Sequence, residues 1–148
     1  MVYELITPYV GADTFCVNER NEVCLIRRAD NGLWATPGGC HDLGETAAEC
    51  AAREFREETG LIVRITALLG VFSSLRYGDG TGMNRGREFC HLLFRGELIG
   101  GIEATSDETT AVGWFAEDAL PPLAPGHEAR IRHAYAMLHD AALPPHYE

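Results

Sequence analysis

The chain is short of positive charge. Twelve Lys and Arg stand against 22 Asp and Glu, a net charge of −10 at pH 7. That deficit argues against a protein that coats nucleic acid or an anionic membrane by bulk charge. It leaves a small nucleotide open as a ligand, because a metal ion can neutralise phosphate locally. Long apolar runs are also missing. None approaches the ~18 residues that a membrane-spanning helix needs. No charged start followed by an apolar stretch suggests a secretory leader. Cysteine is present but unorganised: Cys16, Cys24, Cys40, Cys50 and Cys90 make five, with no CxxC spacing. They read as reduced thiols, mostly in the core, of a cytoplasmic protein. Nothing in their spacing supports zinc, and there is no repeat or low-complexity segment.

What is there suffices for one domain. The 148 residues are 46% hydrophobic, enough for a core of ordinary composition, and a single domain over 1–148 is expected. Segment 9–17 reads as a strand with a polar interruption, and VCLIRR (23–28) as a short strand ending in two arginines. Residues 29–44 form a loop with Pro37, Gly38 and Gly39. A helix over 47–59 and an apolar stretch over 61–72, one or two strands, come next. The glycine-rich segment 73–87 is a long loop of the kind that is functional or disordered. Strands over 88–98 and 111–116 flank a turn at 106–110. The last helix, about 127–140, carries Ile131, Ala134, Tyr135 and Leu138 on one stripe. The tail reads as a frayed end. The order predicts a mixed α/β sandwich of the α+β type rather than a doubly wound sheet.

The helix over 47–59 is unusual. Thr46 and Glu49 have capping-box spacing, and Gly60 is a natural C-terminal stop. On the helical wheel Glu57 and Glu58 fall about 60° and 40° to either side of Glu54. Ala48, Ala51, Ala52, Phe55 and Thr59 form a separate core arc. Like charges at i,i+4 cost a few tenths of a kcal/mol, and Arg53 alone relieves that edge. Such a face is either plainly solvated or a hard-oxygen site, suited to Mg²⁺ or Mn²⁺ rather than zinc.

The wider pattern favours the second reading. Gly39-x5-Glu45-x7-Arg53-Glu54-Phe55-x-Glu57-Glu58-x-Gly60-Leu61 resembles the signature box of the Nudix hydrolases at every fixed position. VCLIRR, LWATPGG, LLGVF, SDETTAVGWF and DALPPL are similar to segments around that box. The resemblance implies a mixed β-sheet sandwiched between α-helices, with the box as loop–helix–loop. It implies hydrolysis of a pyrophosphate bond in a nucleoside diphosphate linked to another moiety, by water attack on phosphorus. It implies that Glu54, Glu57 and Glu58 hold Mg²⁺ or Mn²⁺, with the Gly38 carbonyl as a further ligand. Arg53 would orient Glu57, and Glu45 would support the loop or an outer metal position. The general base would be a helix glutamate or a loop acid. Glu108 is the best loop candidate, with Asp107 and Glu103 beside it.

Substrate contacts are read more loosely. Arg27 and Arg28 end a strand facing the box loop, and period two lets only one point inward. Trp34 could stack on a base or act as an apolar lid. Arg76, Tyr77, Arg85 and Arg87 lie in or beside the glycine-rich loop and suit phosphate, base or ribose. His127 and His133 read as surface residues. The layout looks most like the ADP-ribose or nucleotide-sugar branch. A nucleoside triphosphate pyrophosphohydrolase, a non-catalytic nucleotide sensor and a metal-stabilised structural protein are the alternatives. A small nucleotide is the expected partner, with neither nucleic acid nor membrane, and family members often pair as homodimers.

Overall fold

The computed structural model describes residues 6–77 and 88–148. Its strands form two sheets. Strands β1 (Tyr9–Phe15), β4 (Gly38–Cys40), β5 (Leu61–Ser73) and β6 (Phe89–Gly101) make a mixed sheet in the order β4-β1-β6-β5. Strand β1 runs parallel to β6 and antiparallel to β4. Strands β2 (Val23–Arg28), β3 (Trp34–Ala35) and β7 (Thr109–Phe115) make a second, antiparallel sheet in the order β3-β2-β7. The helices are α1 (Ala47–Thr59), a single turn α2 (Ser74–Tyr77) and α3 (His127–His139).

Alternation along β1 distributes the core. Ala12 packs with Cys50 and Ala51 of α1, and the Thr14 hydroxyl donates to the Ala51 carbonyl at 3.3 Å. The other face turns to α3: Phe15 meets Tyr135 edge to face at 5.0 Å, and Asp13 pairs with Arg130. The mixed sheet therefore lies between α1 and α3, as the resemblance implies. The second sheet is an addition that the strand pattern did not announce.

Helix α1 has the expected bounds. The Thr46 hydroxyl accepts from the Glu49 amide, the Glu49 carboxylate accepts from the Thr46 amide, and Gly60 closes the helix at φ 75°. The apolar stretch after it is one strand, β5, broken by register shifts near Val63, Ala67 and Gly70. The C-terminal tail is not frayed. The His146 amide donates to Leu69, the His146 carbonyl accepts from Val71, and the imidazole stacks on Phe72 at 4.7 Å. An edge strand with open backbone groups captures a neighbouring segment, which the tail's own composition does not reveal. Among the described residues, no helix is long and apolar enough to cross a membrane.

Candidate active site

Strand β4 carries two glycines because it runs through a gap too narrow for side chains. A Cβ on Gly38 would overlap the Asp13 carboxylate, and one on Gly39 would lie within 2.7 Å of the Glu54 carboxylate. The backbone thus lies directly against the acids of β1 and α1. Beside it opens a cavity of about 800 Å³. Its wall includes Gly38, Gly39, Glu54 and Glu58 from the box, Arg28 from β2, and Asp107 and Glu108 from the loop before β7. That loop is tied to the end of β2 by the Ala29 amide, which donates to the Glu108 carbonyl at 3.0 Å.

Arg53 organises the outer side. Its Nε and Nη2 donate to the two oxygens of Glu45, each at 2.8 Å. Its Nη1 reaches Glu54 at 2.9 Å and Glu57 at 3.2 Å, and Nη2 also reaches the Cys40 carbonyl at 3.1 Å. The Arg53 bonds, with the Asp42 amide, hold the Glu45 carboxyl down at about 2. Glu45 therefore anchors the loop through Arg53 and does not line the cavity. Glu57 is also outside the lining, with its side chain 58% exposed and turned to Arg53.

Glu54 and Glu58 face inward. Burial raises the Glu54 pKa, Arg53 works against that, and Glu57 and Glu108 add to it. Glu58 is pushed up to about 9 by burial, then by Glu54, Asp13 and Glu108, with a Gly38 backbone bond opposing. Among the described residues, no three His, Cys, Asp or Glu side chains form a ready metal cage. The donor chemistry nevertheless fits a hard divalent cation: buried, mutually repelling carboxylate oxygens, with neither thiol nor imidazole among the box acids. Glu54 and Glu58 would hold such an ion, with Glu108 and the Gly38 backbone beside them.

The inner wall holds a polar network. Asp13 and Arg130 form an ion pair with both side chains 6% exposed. The Thr36 hydroxyl donates to Asp13 at 3.0 Å and lies 2.9 Å from His127 Nδ1, which also accepts from the Thr36 amide at 3.2 Å. Burial alone would raise the Asp13 pKa, but Arg130, with His91, His127 and Thr36, brings it below its usual value. His127 is pushed down to about 3 by burial, then by Arg130. It is buried, not a surface residue, because its position at the start of α3 points it at Thr36.

The substrate candidates scatter. Arg28 lines the cavity, whereas Arg27 Nε donates to the Gly32 carbonyl at 3.1 Å outside it. Trp34 packs edge-on against Phe115 at 4.8 Å, in the core and not in the cavity wall. Arg76 is exposed on α2 and is not part of that wall. The Tyr77 side chain, Arg85 and Arg87 lie outside the described residues. Asp13, Thr36, His91 and Arg130 also line the cavity, and no sequence motif announces them. The one available signal was Asp13 itself, the polar interruption in an apolar strand.

The chain is similar to several known proteins. Residues 7–138 match the NUDIX domain. A MutT-like protein of Streptomyces ambofaciens is 42% identical over 70% of this chain, and the match spans only 61% of that relative's length. A putative 8-oxo-dGTP diphosphatase of Bacillus subtilis is 36% identical over 75% of this chain and 68% of its own. An ADP-ribose pyrophosphatase of Methanocaldococcus jannaschii is 36% identical over 84% of this chain and 72% of its own. In fold, the crystal structure of a UDP-X diphosphatase superposes with a TM-score of 0.85 at 23% identity, covering 99% of this chain and 70% of that one. Hydrolases of this family act on small nucleotide substrates and generally use a divalent metal such as Mg²⁺. By match length and identity this chain belongs to the NUDIX domain family.

Proposed function

We propose that this domain hydrolyses the pyrophosphate bond of a nucleoside diphosphate linked to a second moiety, with ADP-ribose or a nucleotide sugar as substrate. The observation that carries this is the meeting of Glu54 and Glu58 from α1 with Arg28 from the end of β2 and Glu108 from the loop before β7, around one cavity. Bound Mg²⁺ or Mn²⁺ would polarise phosphoryl oxygens and lower the pKa of water. Arg28, held in place by Asp30 through Nε at 3.0 Å and Nη2 at 2.7 Å, offers its remaining N–H groups to a phosphate oxygen. Glu108 takes the proton of the attacking water at a carboxylate oxygen, since Glu54 and Glu58 serve the cation. Arg53 holds Glu54, Glu57 and Glu45 in register, and Gly38 and Gly39 let the backbone approach. The ADP-ribose pyrophosphatase relative supports the substrate class. This activity carries with it a cytoplasmic location and a small nucleotide rather than nucleic acid as partner, and a homodimer is the assembly to test by gel filtration.

A second reading, a nucleoside triphosphate pyrophosphohydrolase, is favoured by the Bacillus relative. One panel separates them: ADP-ribose, sugar nucleotides, dinucleoside polyphosphates and triphosphates, each with Mg²⁺ and Mn²⁺. We expect the first two classes to turn over best. A triphosphate preferred ~100-fold in kcat/KM, about 2.7 kcal/mol, would overturn the substrate assignment. No turnover of any of them would favour a nucleotide sensor.

A further inference from the structure

The cavity has an aromatic end. Tyr9 and Phe89 are paired in the parallel β1–β6 ladder, and their rings stack at 5.4 Å and 28°. Two residues on, His91 shares the face of Phe89, and those rings stack at 5.3 Å and 10°. Phe89 and His91 both line the cavity, and Phe89 is the one Phe, Tyr or Trp among the described lining residues. Opposite His91 in the ladder stands Gly11. A Cβ there would lie 3.1 Å from His91 Nδ1, so glycine keeps the rings uncrowded. Burial, then Arg130, holds His91 down at about 4, so this wall carries no charge at neutral pH.

Position along the strand separates this wall from the acids. Tyr9, Gly11 and Asp13 lie on one face of β1, and Asp13 borders Gly38 of the box. Four residues of strand rise put the ring end roughly 13 Å from Asp13. One surface thus runs from aromatic rings, past a glycine, to the ion pair and the box acids. A nucleotide has the same order: flat apolar base, ribose, charged phosphates.

We propose that the Phe89–His91 pair is the nucleobase platform of this cavity, with the base against the rings and the phosphates toward Arg28, Glu54 and Glu58. The inference rests on the nucleotide-hydrolase reading above and names residues that reading does not use. Stacking tolerates any base, because every base has a π-face. The platform therefore selects for a nucleobase as such, not for one base.

The test compares AMP with ribose 5-phosphate, neither of which carries a pyrophosphate bond, by titration calorimetry with Mg²⁺. Wild type should bind AMP about 10-fold more tightly. Phe89→Leu should remove most of that preference, and Phe89→Tyr should keep it. Saturation transfer from aromatic protein protons to the AMP base protons in wild type gives a readout that needs no variant. Equal binding of the two ligands, an unchanged preference in a folded Phe89→Leu protein, or no transfer to the base would each overturn the platform. The two readings fail separately. Wild type that prefers AMP yet hydrolyses nothing keeps the platform and loses the hydrolase. Wild type that hydrolyses ADP-ribose, with KM unmoved in Phe89→Leu, keeps the hydrolase and loses the platform.

Discussion

Glu54, Glu57 and Glu58 sit within five residues of one helix, yet they occupy three environments. Glu57 is solvated and tied to Arg53, Glu54 is half-held by Arg53, and Glu58 is buried against other acids. Burying like charges is costly unless they are paired, so the fold carries strain at Glu58 that a cation would relieve. Glu58→Gln should reduce kcat/KM at least 100-fold, about 2.7 kcal/mol. The same variant should melt no lower than wild type in metal-free buffer. A lower melting temperature with activity retained would contradict both parts. Arg130 presents the opposite case, a buried cation with its counter-ion in place. Arg130→Met leaves Asp13 buried without it and should cost roughly 3–5 kcal/mol in urea unfolding. Adding Asp13→Asn should recover part of the loss, because the stranded charge goes with it.

Helix α1 is defined at both ends by local chemistry. Removing the Thr46 hydroxyl breaks one half of the capping box, and Thr46→Ala should cost roughly 1 kcal/mol. Gly60 is more constrained. Its φ of 75° disfavours any Cβ, and one built there would overlap the Ile102 carbonyl. Gly60→Ala should therefore cost more than Thr46→Ala, beginning from the roughly 1–2 kcal/mol of a left-handed residue. Equal losses in denaturant titrations would show that the Ile102 contact relaxes. At this scale the sequence was readable, since caps, stops and the two faces of α1 depend on residues within a few positions of each other. Strand β4 was not readable, because three residues paired with β1 carry no periodicity of their own.

Across the whole molecule, α3 reaches the site through His127 and Arg130, and this couples stability to pH. The folded pKa of His127 is lowered to about 3 from the ordinary histidine value of 6.5. The unfolded chain thus takes up a proton that the fold refuses. The contribution of this neutral histidine is fully present above about 6.5 and is lost as pH falls toward 3. Each pH unit in that window removes about 1.4 kcal/mol. Arg130, Asp13, His91 and Arg28 face the ring, and Arg130 works with burial against its charging. His127→Asn keeps an acceptor for Thr36 without a titrating ring. Its loss of stability between pH 7.5 and 5 should be up to about 2 kcal/mol smaller than that of wild type. Parallel curves for the two proteins in urea titrations would refute the linkage.

The sequence by itself determined the acidic helix, its caps, the glycines before it and the family likeness, because each is a short-range pattern of residue types. It also bounded Arg27 and Arg28 to one inward side chain. Only the tertiary structure decided that the inward one is Arg28, that Trp34 belongs to the core, and that Glu45 serves Arg53. Only the tertiary structure placed Asp13, Thr36, His91, His127 and Arg130 on the inner wall. These residues are separated by up to 117 positions in the chain, and side chains that far apart meet only when the sheet and α3 are packed. Charge, burial and hydrogen-bond satisfaction depend on those meetings, so no periodicity in the chain records them.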